Sequence, residues 1–377
     1  MRYKEFTKGV NLSMLGMGAM RLPQTEEGFA KPIDTPRAED IIDYCMENGV
    51  NYYDTAYIYH GGNSERFLGQ ALKKYPRSTF YVADKFNIQA NSDYRSQFQE
   101  QLERLQMDHI DFYLLHGITD YTASDYLKSG CLDYFLEQKK KKKITFLGFS
   151  FHGTPKTLRE LVTMHDWDFV QIQLNYYDWF QGTAKEQYAI LAEHRLPVMV
   201  TEPVHGGMLA ALPEEIGPLL PADARTSPAA WDLRFAASLP GVSVVLSGMS
   251  ALEQAKENIA TFSGSIDLTP DELSRLERVS EQLHRRIAVP CTGCRYCCEN
   301  CPKALDIPAL LTAYNEYKSD SAALGSEQLA SWRLGRLKAL PPEKQPSACI
   351  GCGKCKKHCP QDLNIPAYMQ EMAAYIP

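Results

Sequence analysis

Asn51-Tyr52-Tyr53-Asp54-Thr55-Ala56-Tyr57-Ile58-Tyr59, followed after His60 by Gly61-Gly62-Asn63-Ser64-Glu65-Arg66-Phe67-Leu68-Gly69, is the stretch on which the reading of the fold turns. The β-rich run Val50–Thr55 passes through a glycine-marked turn into a segment with Phe67, Leu68, Ala71 and Leu72 at helical spacing. That is one strand–turn–helix unit, and the same alternation extends in both directions. Short β-rich runs stand at Leu15–Met20, Val50–Thr55, Phe80–Lys85, Ile110–His116, Ile144–Phe149, Phe169–Leu174, Val198–Glu202 and Val242–Leu246. Helical patterns separate them, for instance at Ala38–Asn48, Glu65–Tyr75, Gln97–Leu105, Pro155–His165 and Ala184–His194. Strands alternating with helices predict a parallel sheet. Eight units over about 250 residues predict an α/β protein with a closed (β/α)8 TIM barrel rather than an open doubly wound sheet. No Gly-x-Gly-x-x-Gly turn follows an early strand, which also argues against a dinucleotide-binding open sheet.

Several boundaries have chemical causes. Asn63-Ser64-Glu65 is expected to cap the helix that follows. Thr269-Pro270-Asp271-Glu272 opens another, running to about Arg286, with proline at its first position and acids in its first turn. The run Lys139–Lys143 invites a nucleic-acid reading, but it precedes a predicted strand, where a solvated helix end is the commoner explanation. The net charge of -6 likewise argues against a general nucleic-acid binder. No apolar run approaches the roughly 20 residues a bilayer requires. Met1-Arg2-Tyr3-Lys4-Glu5-Phe6 carries no export signal, so a cytoplasmic location is expected.

Composition shifts near Ala288-Val289-Pro290, dividing the chain into an expected barrel domain, residues 1–286, and an expected cluster domain, residues 287–377. Of the 11 cysteines, only Cys45 and Cys131 precede this point, and both are expected to be buried apolar residues. Beyond it stand Cys291-x-x-Cys294-x-x-Cys297-x-x-x-Cys301-Pro302 and Cys349-x-x-Cys352-x-x-Cys355-x-x-x-Cys359-Pro360. Leu305-Asp306-Ile307-Pro308-Ala309 recurs as Leu363-Asn364-Ile365-Pro366-Ala367, so the tail reads as an internal repeat. Helical patterns follow at Ala309–Tyr317, Ser326–Leu340 and Ala367–Tyr375, with no good strand. Each run resembles the bacterial ferredoxin motif, in which the fourth cysteine serves the other cluster. That resemblance implies two [4Fe–4S] clusters, one on Cys291, Cys294, Cys297 and Cys359, the other on Cys349, Cys352, Cys355 and Cys301. It also implies a mainly helical ferredoxin-like domain. Zinc is the alternative for four thiolates, though it usually shows paired Cys-x-x-Cys units. Cys298 is a spare thiol. From Cys291 onward ten Lys and Arg face eight Asp and Glu, a mildly basic shell suited to tuning anionic clusters or receiving an acidic redox partner.

The quoted stretch, Asp54-Thr55-Ala56-x-x-Tyr59 and then Gly62-x-Ser64-Glu65-x-x-Leu68-Gly69, resembles the aldo/keto reductase family, over about residues 1–280. Lys85 ends the next strand and His116 the one after. The resemblance implies a catalytic tetrad of Asp54, Tyr59, Lys85 and His116 at the C-terminal mouth, where barrel active sites sit. The four residue types suit carbonyl reduction. An alkoxide forming as hydride arrives needs a proton donor, and free tyrosine, with a pKa of about 10, is a poor one at neutrality. A neighbouring lysine cation stabilises tyrosinate, an aspartate aims the lysine, and the histidine polarises the carbonyl or shares the proton transfer.

By the same resemblance, Ser150 and Gln171 hold a nicotinamide carboxamide. Glu202 lies in the loop after the seventh strand, and Gly248, Met249, Ser250, Gln254, Glu257 and Asn258 form an adenosine-binding stretch. Thr201 stands where the family commonly places an aromatic residue against the nicotinamide. Lys256 is the only cation near Gly248 in sequence, which leaves NAD and NADP both open. The implied activity is NAD(P)H-linked reduction of a small-molecule carbonyl, or the reverse oxidation of an alcohol. Nicotinamide works in two-electron steps and clusters in single ones. A flavin could convert between them, but no strong flavin motif is present, and a redox partner protein is the other way out. The competing reading is a redox-responsive nucleotide-binding regulator with little turnover.

Overall fold

The computed structural model describes residues 1–26, 31–221, 227–324 and 332–375. Its chain divides into two compact units, Met1–Val204 with Ala222–Leu273, and His205–Pro221 with Ser274–Pro377. The segment His205–Pro221 thus joins the second unit, a division that the composition shift near residue 288 does not reveal.

A hairpin of β1 (Tyr3–Thr7) and β2 (Val10–Ser13) opens the first unit. The barrel strands follow: β3 (Leu15–Gly18), β4 (Tyr52–Asp54), β5 (Tyr81–Phe86), β6 (Ile110–Ile118), β7 (Ile144–Phe151), β8 (Phe169–Gln173), β9 (Val198–Thr201) and β10 (Val242–Ser247). They pair in parallel and in chain order, and β10 closes on β3 through Val245, Leu246 and Ser247 against Leu15, Gly16 and Met17. The expected eight-stranded TIM barrel is therefore the observed one. Near-continuous apolar runs such as β6 are what strands covered on both faces require.

The hairpin was not anticipated, and its role is to close one end of the barrel. Tyr52, the first residue of β4, and Phe169, the first of β8, form a buried layer with Leu12, Ala83, Phe112 and Val244. Phe6 of β1 packs edge-on against this layer, with ring centroids 5.3 Å from Phe112 and 5.0 Å from Phe146. The N-terminal strand ends are thus plugged by aromatics, which leaves the C-terminal ends for chemistry.

Two helix starts show what side-chain chemistry does locally. Thr269 and Glu272 exchange bonds at the start of the helix Pro270–His284: the Thr269 N–H donates to Glu272 Oε2 at 2.7 Å and the Glu272 N–H to Thr269 Oγ1 at 3.2 Å. The cap expected at Asn63-Ser64 differs. Gly62, with φ +85°, holds the N-cap position of Asn63–Leu72. Ser64 turns inward, bonding Thr55 Oγ1 at 2.8 Å and the Ala19 carbonyl at 3.0 Å. The lysine run sits as expected, with Lys139 and Lys140 closing the helix Cys131–Lys140, Lys139 paired with Asp168 and Lys141 with Glu137.

The second unit contains helices Ile307–Leu324 and Ile365–Tyr375 and, among the described residues, no strand. Its core holds Leu305, Ile307, Leu311, Tyr314, Met369 and Met372. The expected helix at Ser326–Leu340 falls partly outside the described residues; Trp332–Gly335 is helical and Arg336–Ala339 a 3-10 turn. The internal repeat is legible in the backbone itself. Gly293 and Gly351 have φ of +65° and +67°, Arg295 and Gly353 +68° and +70°, Ala304 and Asp362 +47° and +48°. Each pair is separated by the same interval as the cysteines, and each run continues through a one-turn helix, Tyr296–Glu299 or Lys354–Lys357.

Candidate functional site

The sequence places Asp54 at the last position of β4, Lys85 next to last in β5 and His116 near the end of β6, three neighbouring strands. The barrel brings them together. Lys85 is completely buried, and its Nζ donates to Asp54 Oδ1 at 2.5 Å and to the Thr55 carbonyl at 2.6 Å. Burial pushes the Asp54 carboxyl up, and the Lys85 charge and hydrogen bond pull it back. Tyr59 stands at the mouth, half-buried, on a turn whose next three residues all have positive φ: His60 +50°, Gly61 +62° and Gly62 +85°. Two glycines make that turn accessible. Lys85 Nζ lies 5.0 Å from the Tyr59 ring centroid, and His116 meets the same ring edge-on at 5.9 Å. Burial, then the Lys85 charge and then His152, hold the His116 imidazole well below its ordinary range, so it stays neutral.

Behind Lys85 lies a buried polar layer of which the sequence singled out only Glu65, as part of a helix cap and of the motif after β4. Asp84 Oδ1 accepts the Lys85 N–H at 2.8 Å. Burial first, then the Glu65 charge, raise the Asp84 carboxyl well above the carboxylate range. Glu65 is fully buried and pairs with Arg104 at 2.7 Å; Arg104 also pairs with Glu100 at 2.5 Å and lies over the Tyr57 ring. Gln101 donates to the Lys85 carbonyl at 3.1 Å. Helical spacing carried Arg104, Gln101 and Glu100 to this layer, but no short motif announces it.

The residues expected at the cofactor lie at the ends of the later strands. Ser150 Oγ, on β7, accepts the Gly117 N–H at 2.6 Å. Gln171, on β8, is buried, and its Oε1 has no partner among the described residues. A buried amide oxygen left in that state is what an incoming amide N–H group would satisfy, so the site fits a nicotinamide carboxamide. Glu202 takes φ +52°, and its carbonyl accepts Asn175 Nδ2 at 3.0 Å. After β10, Met249 is buried, Gln254 Oε1 accepts the Ser250 N–H at 2.8 Å and Asn258 Nδ2 donates to Ser247 Oγ at 3.0 Å. Glu257 is exposed. Ser250 Oγ donates to the Arg21 carbonyl at 2.7 Å, and the Arg21 side chain runs within 3.2 Å of where a Cβ on Gly248 would stand. Arg21 is therefore a second cation beside this loop, missed because it lies 229 residues away in the chain. Lys256 instead lies 6.0 Å from the Tyr44 ring.

In the second unit the thiols of the two cysteine runs lie near one another. The neighbouring Cys298 first, then burial, and then the charges of Cys298, Cys294 and Cys359 push the Cys297 thiol up; burial first, with Cys291 a smaller influence, raises Cys359. Burial first, and then the neighbouring Cys349, Cys301 and Cys352, push the Cys355 thiol up to about 11. Cys301, Cys349, Cys352 and Cys355 line a pocket, partly open to solvent, whose other walls include Leu305, Ile307, Ile365 and Met369. Among the described residues no three His, Cys, Asp or Glu side chains close on one point as a single ion needs. Four thiols round one largely apolar pocket suit a cube, in which each iron takes its own sulfur. Cys45 and Cys131 are fully buried, as expected. Cys298 is half-buried against Cys297.

Comparison with known proteins agrees with both halves. The aldo/keto reductase family model matches residues 14–281, and the 4Fe-4S dicluster domain model residues 290–363. An uncharacterized oxidoreductase, YqkF of Bacillus subtilis, is 26% identical over 316 residues, covering 73% of this chain and 95% of its own. L-galactose dehydrogenase of Arabidopsis thaliana is 27% identical over 301 residues, covering 72% and 92%. Among solved structures, the holo form of aldo-keto reductase AKR11C1 from Bacillus halodurans superposes with a TM-score of 0.62 at 26% identity, covering 74% of this chain and 96% of its own. An aldo/keto reductase from Klebsiella pneumoniae, in complex with NADP and acetate, shares the fold, with a TM-score of 0.59 at 20% identity over 73% of this chain and 94% of its own. Among the described residues no helix is long and apolar enough to cross a membrane.

Proposed function

We propose, on the premise that this chain belongs to the aldo/keto reductase family, that it reduces a small carbonyl compound with NAD(P)H, or runs the reverse oxidation. In the same proposal residues 287–377 carry two [4Fe–4S] clusters for electron transfer and residues 1–286 form the catalytic domain. The observation that carries the reading is Lys85, wholly buried, tied to Asp54 and set beside the Tyr59 ring with His116 across from it.

A bound nicotinamide supplies hydride, and bound clusters supply single-electron steps. The rest belongs to the chain. His116, neutral at physiological pH, donates a hydrogen bond to the carbonyl oxygen but has no extra proton to give. The proton therefore comes from the Tyr59 hydroxyl, and Lys85 stabilises the charge left on that oxygen. Asp54 and the Thr55 carbonyl hold the ammonium in place. Gln171 and Ser150 orient the carboxamide. Arg21, beside Gly248 and Ser250, offers a cation to a cofactor phosphate. Cys291, Cys294, Cys297 and Cys359 would hold one cluster, and Cys349, Cys352, Cys355 and Cys301 the other.

The test is turnover of an aldehyde and ketone panel by anaerobically purified protein, with NADH and NADPH in parallel. Tyr59→Phe is expected to abolish reduction while leaving nucleotide affinity intact. Undiminished turnover by that variant refutes the proton-donor assignment.

A further inference from the structure

The two cysteine runs share a backbone but not a surface. Over matched stretches, Cys291–Pro308 carries two cations and two acids, whereas Cys349–Pro366 carries three lysines and one acid. In the first run Arg295 is occupied by Asp306 at 2.9 Å. In the second, Lys354, Lys356 and Lys357 share one helical turn and, among the described residues, no acid pairs with them. Burial differs in the same sense. Thr292 is 4% exposed, and its counterpart Ile350 is 61% exposed. Cys294 is half-buried, and its counterpart Cys352 is exposed, the one cysteine that is. The cause lies within the second unit: the segment His205–Pro221 lies over the first run so closely that a Cβ on Gly206 would stand 2.0 Å from the Thr292 carbonyl. Among the described residues no such cover lies on Ile350.

We propose that the cluster seat formed by Cys301, Cys349, Cys352 and Cys355 is the chain's electron port, and that the exposed Ile350, with Lys303 in the same pocket lining and Lys354 and Lys357 exposed on the helical turn just after it, docks a small acidic one-electron carrier protein. An exposed apolar residue inside a charged rim is the pattern of a transient redox contact, where area is small and charge steers encounter. Lys303 and Ile350 both line the pocket of that seat, and Lys344, bonded to the Ala304 carbonyl at 2.9 Å, adds a cation to the same edge. A lysine rim also offsets the negative charge of a thiolate-bound cluster, which would otherwise repel an acidic visitor. In the transfer one electron would leave the reduced carrier, which is thereby oxidised by one, for the iron–sulfur cluster that these four cysteines would hold, with no proton or bond moving. The proposal rests on the cluster reading above.

The test uses the full cluster-loaded chain, kept anaerobic and titrated calorimetrically with a strongly acidic bacterial ferredoxin as probe, at low and at high salt. The expected result is that Lys354→Glu/Lys357→Glu weakens binding roughly tenfold or more at low salt and flattens the salt dependence. Lys140→Glu/Lys142→Glu, the same charge change on the barrel's lysine run, should alter binding less than about twofold. Ile350→Gln should weaken it with the salt dependence unchanged. Wild-type protein that ignores the probe, Lys354/Lys357 variants that bind normally, or equal losses from both lysine pairs would each overturn the proposal. Iron and sulfide content on every sample separates the failures: cluster-free protein sinks the cluster reading, while loaded protein indifferent to the carrier sinks only the port. Should charge reversal lower iron content, Lys354→Gln/Lys357→Gln is measured instead, with a loss of roughly threefold or more expected.

Discussion

Replacing Lys85 with methionine isolates the electrostatic part of the proposed chemistry. The Lys85 Nζ lies 5.0 Å from the Tyr59 ring centroid. At an effective dielectric of about 20, a full charge at that separation interacts by about 3 kcal/mol. The transition state develops only part of a charge on Tyr59, so the expected loss is between about ten- and one-hundred-fold in rate. It should fall on kcat and leave KM nearly unchanged, because the charge appears only as the proton leaves. The Asp54 carboxyl does not confuse the result. Burial already raises it and Lys85 is the influence that lowers it, so removing Lys85 shifts it further towards its protonated form. Lys85→Met therefore removes the cation while favouring a neutral carboxyl beside the gap. Asp54→Asn, by contrast, strands the buried ammonium on the Thr55 carbonyl and should cost roughly 3–5 kcal/mol of stability. The assay is NADPH oxidation with 4-nitrobenzaldehyde as probe, alongside thermal melts of both variants. A Lys85→Met protein that melts normally and keeps kcat within about threefold of wild type would refute the role given to the cation.

The layer behind Lys85 supplies a contrast. Asp84→Asn should be nearly neutral in stability at pH 7, since the carboxyl there is already pushed towards its protonated form. Glu65→Gln should cost roughly 3 kcal/mol by stripping Arg104 of a buried partner, read from denaturant midpoints. For pH, burial lowers His152 to about 4 and His116 well below its ordinary value. Their folded pKa values lie beneath the unfolded value of about 6.5, so unfolding takes up protons and stability falls as pH drops from about 6.5 towards 4. His152→Asn should flatten part of that slope in melts across the range; an unchanged slope would count against it. Cys301→Ser should halve the iron content by emptying the seat of the second cysteine run while the seat containing Cys291 keeps its signal in electron paramagnetic resonance; loss of the opposite signal would reverse the pairing. Gly69→Ala should destabilise the barrel by about 1–3 kcal/mol, because a Cβ there would stand 2.4 Å from the Leu105 carbonyl on the facing helix.

What could be read in the chain alone follows from which interactions are local. Eight strands were legible because burial on both faces demands unbroken apolar runs such as Ile110-Asp111-Phe112-Tyr113-Leu114-Leu115, and the turns between carry glycine and capping residues. The cluster repeat was legible because its thiols, its prolines and its left-handed positions recur at one interval, Gly293 matching Gly351 and Ala304 matching Asp362. Asp54, Tyr59, Lys85 and His116 were named by the family resemblance, and their proximity has a physical cause: a barrel turns strand order into spatial order, so the ends of neighbouring strands meet. The hairpin was hidden because Phe6 and Val10 plug a closed barrel, a contact that exists only after closure. Ser64 was misplaced as a cap because its hydroxyl bonds Thr55 and Ala19, partners brought to it by packing rather than by sequence spacing. Arg21 and Gln171 mark the same boundary at the proposed cofactor site. One reaches the Gly248 loop from the far end of the chain, and the other is informative only through a buried oxygen left unsatisfied. A polar group earns its meaning from what it lacks as much as from what it touches, and that is visible only once the strands have closed around it.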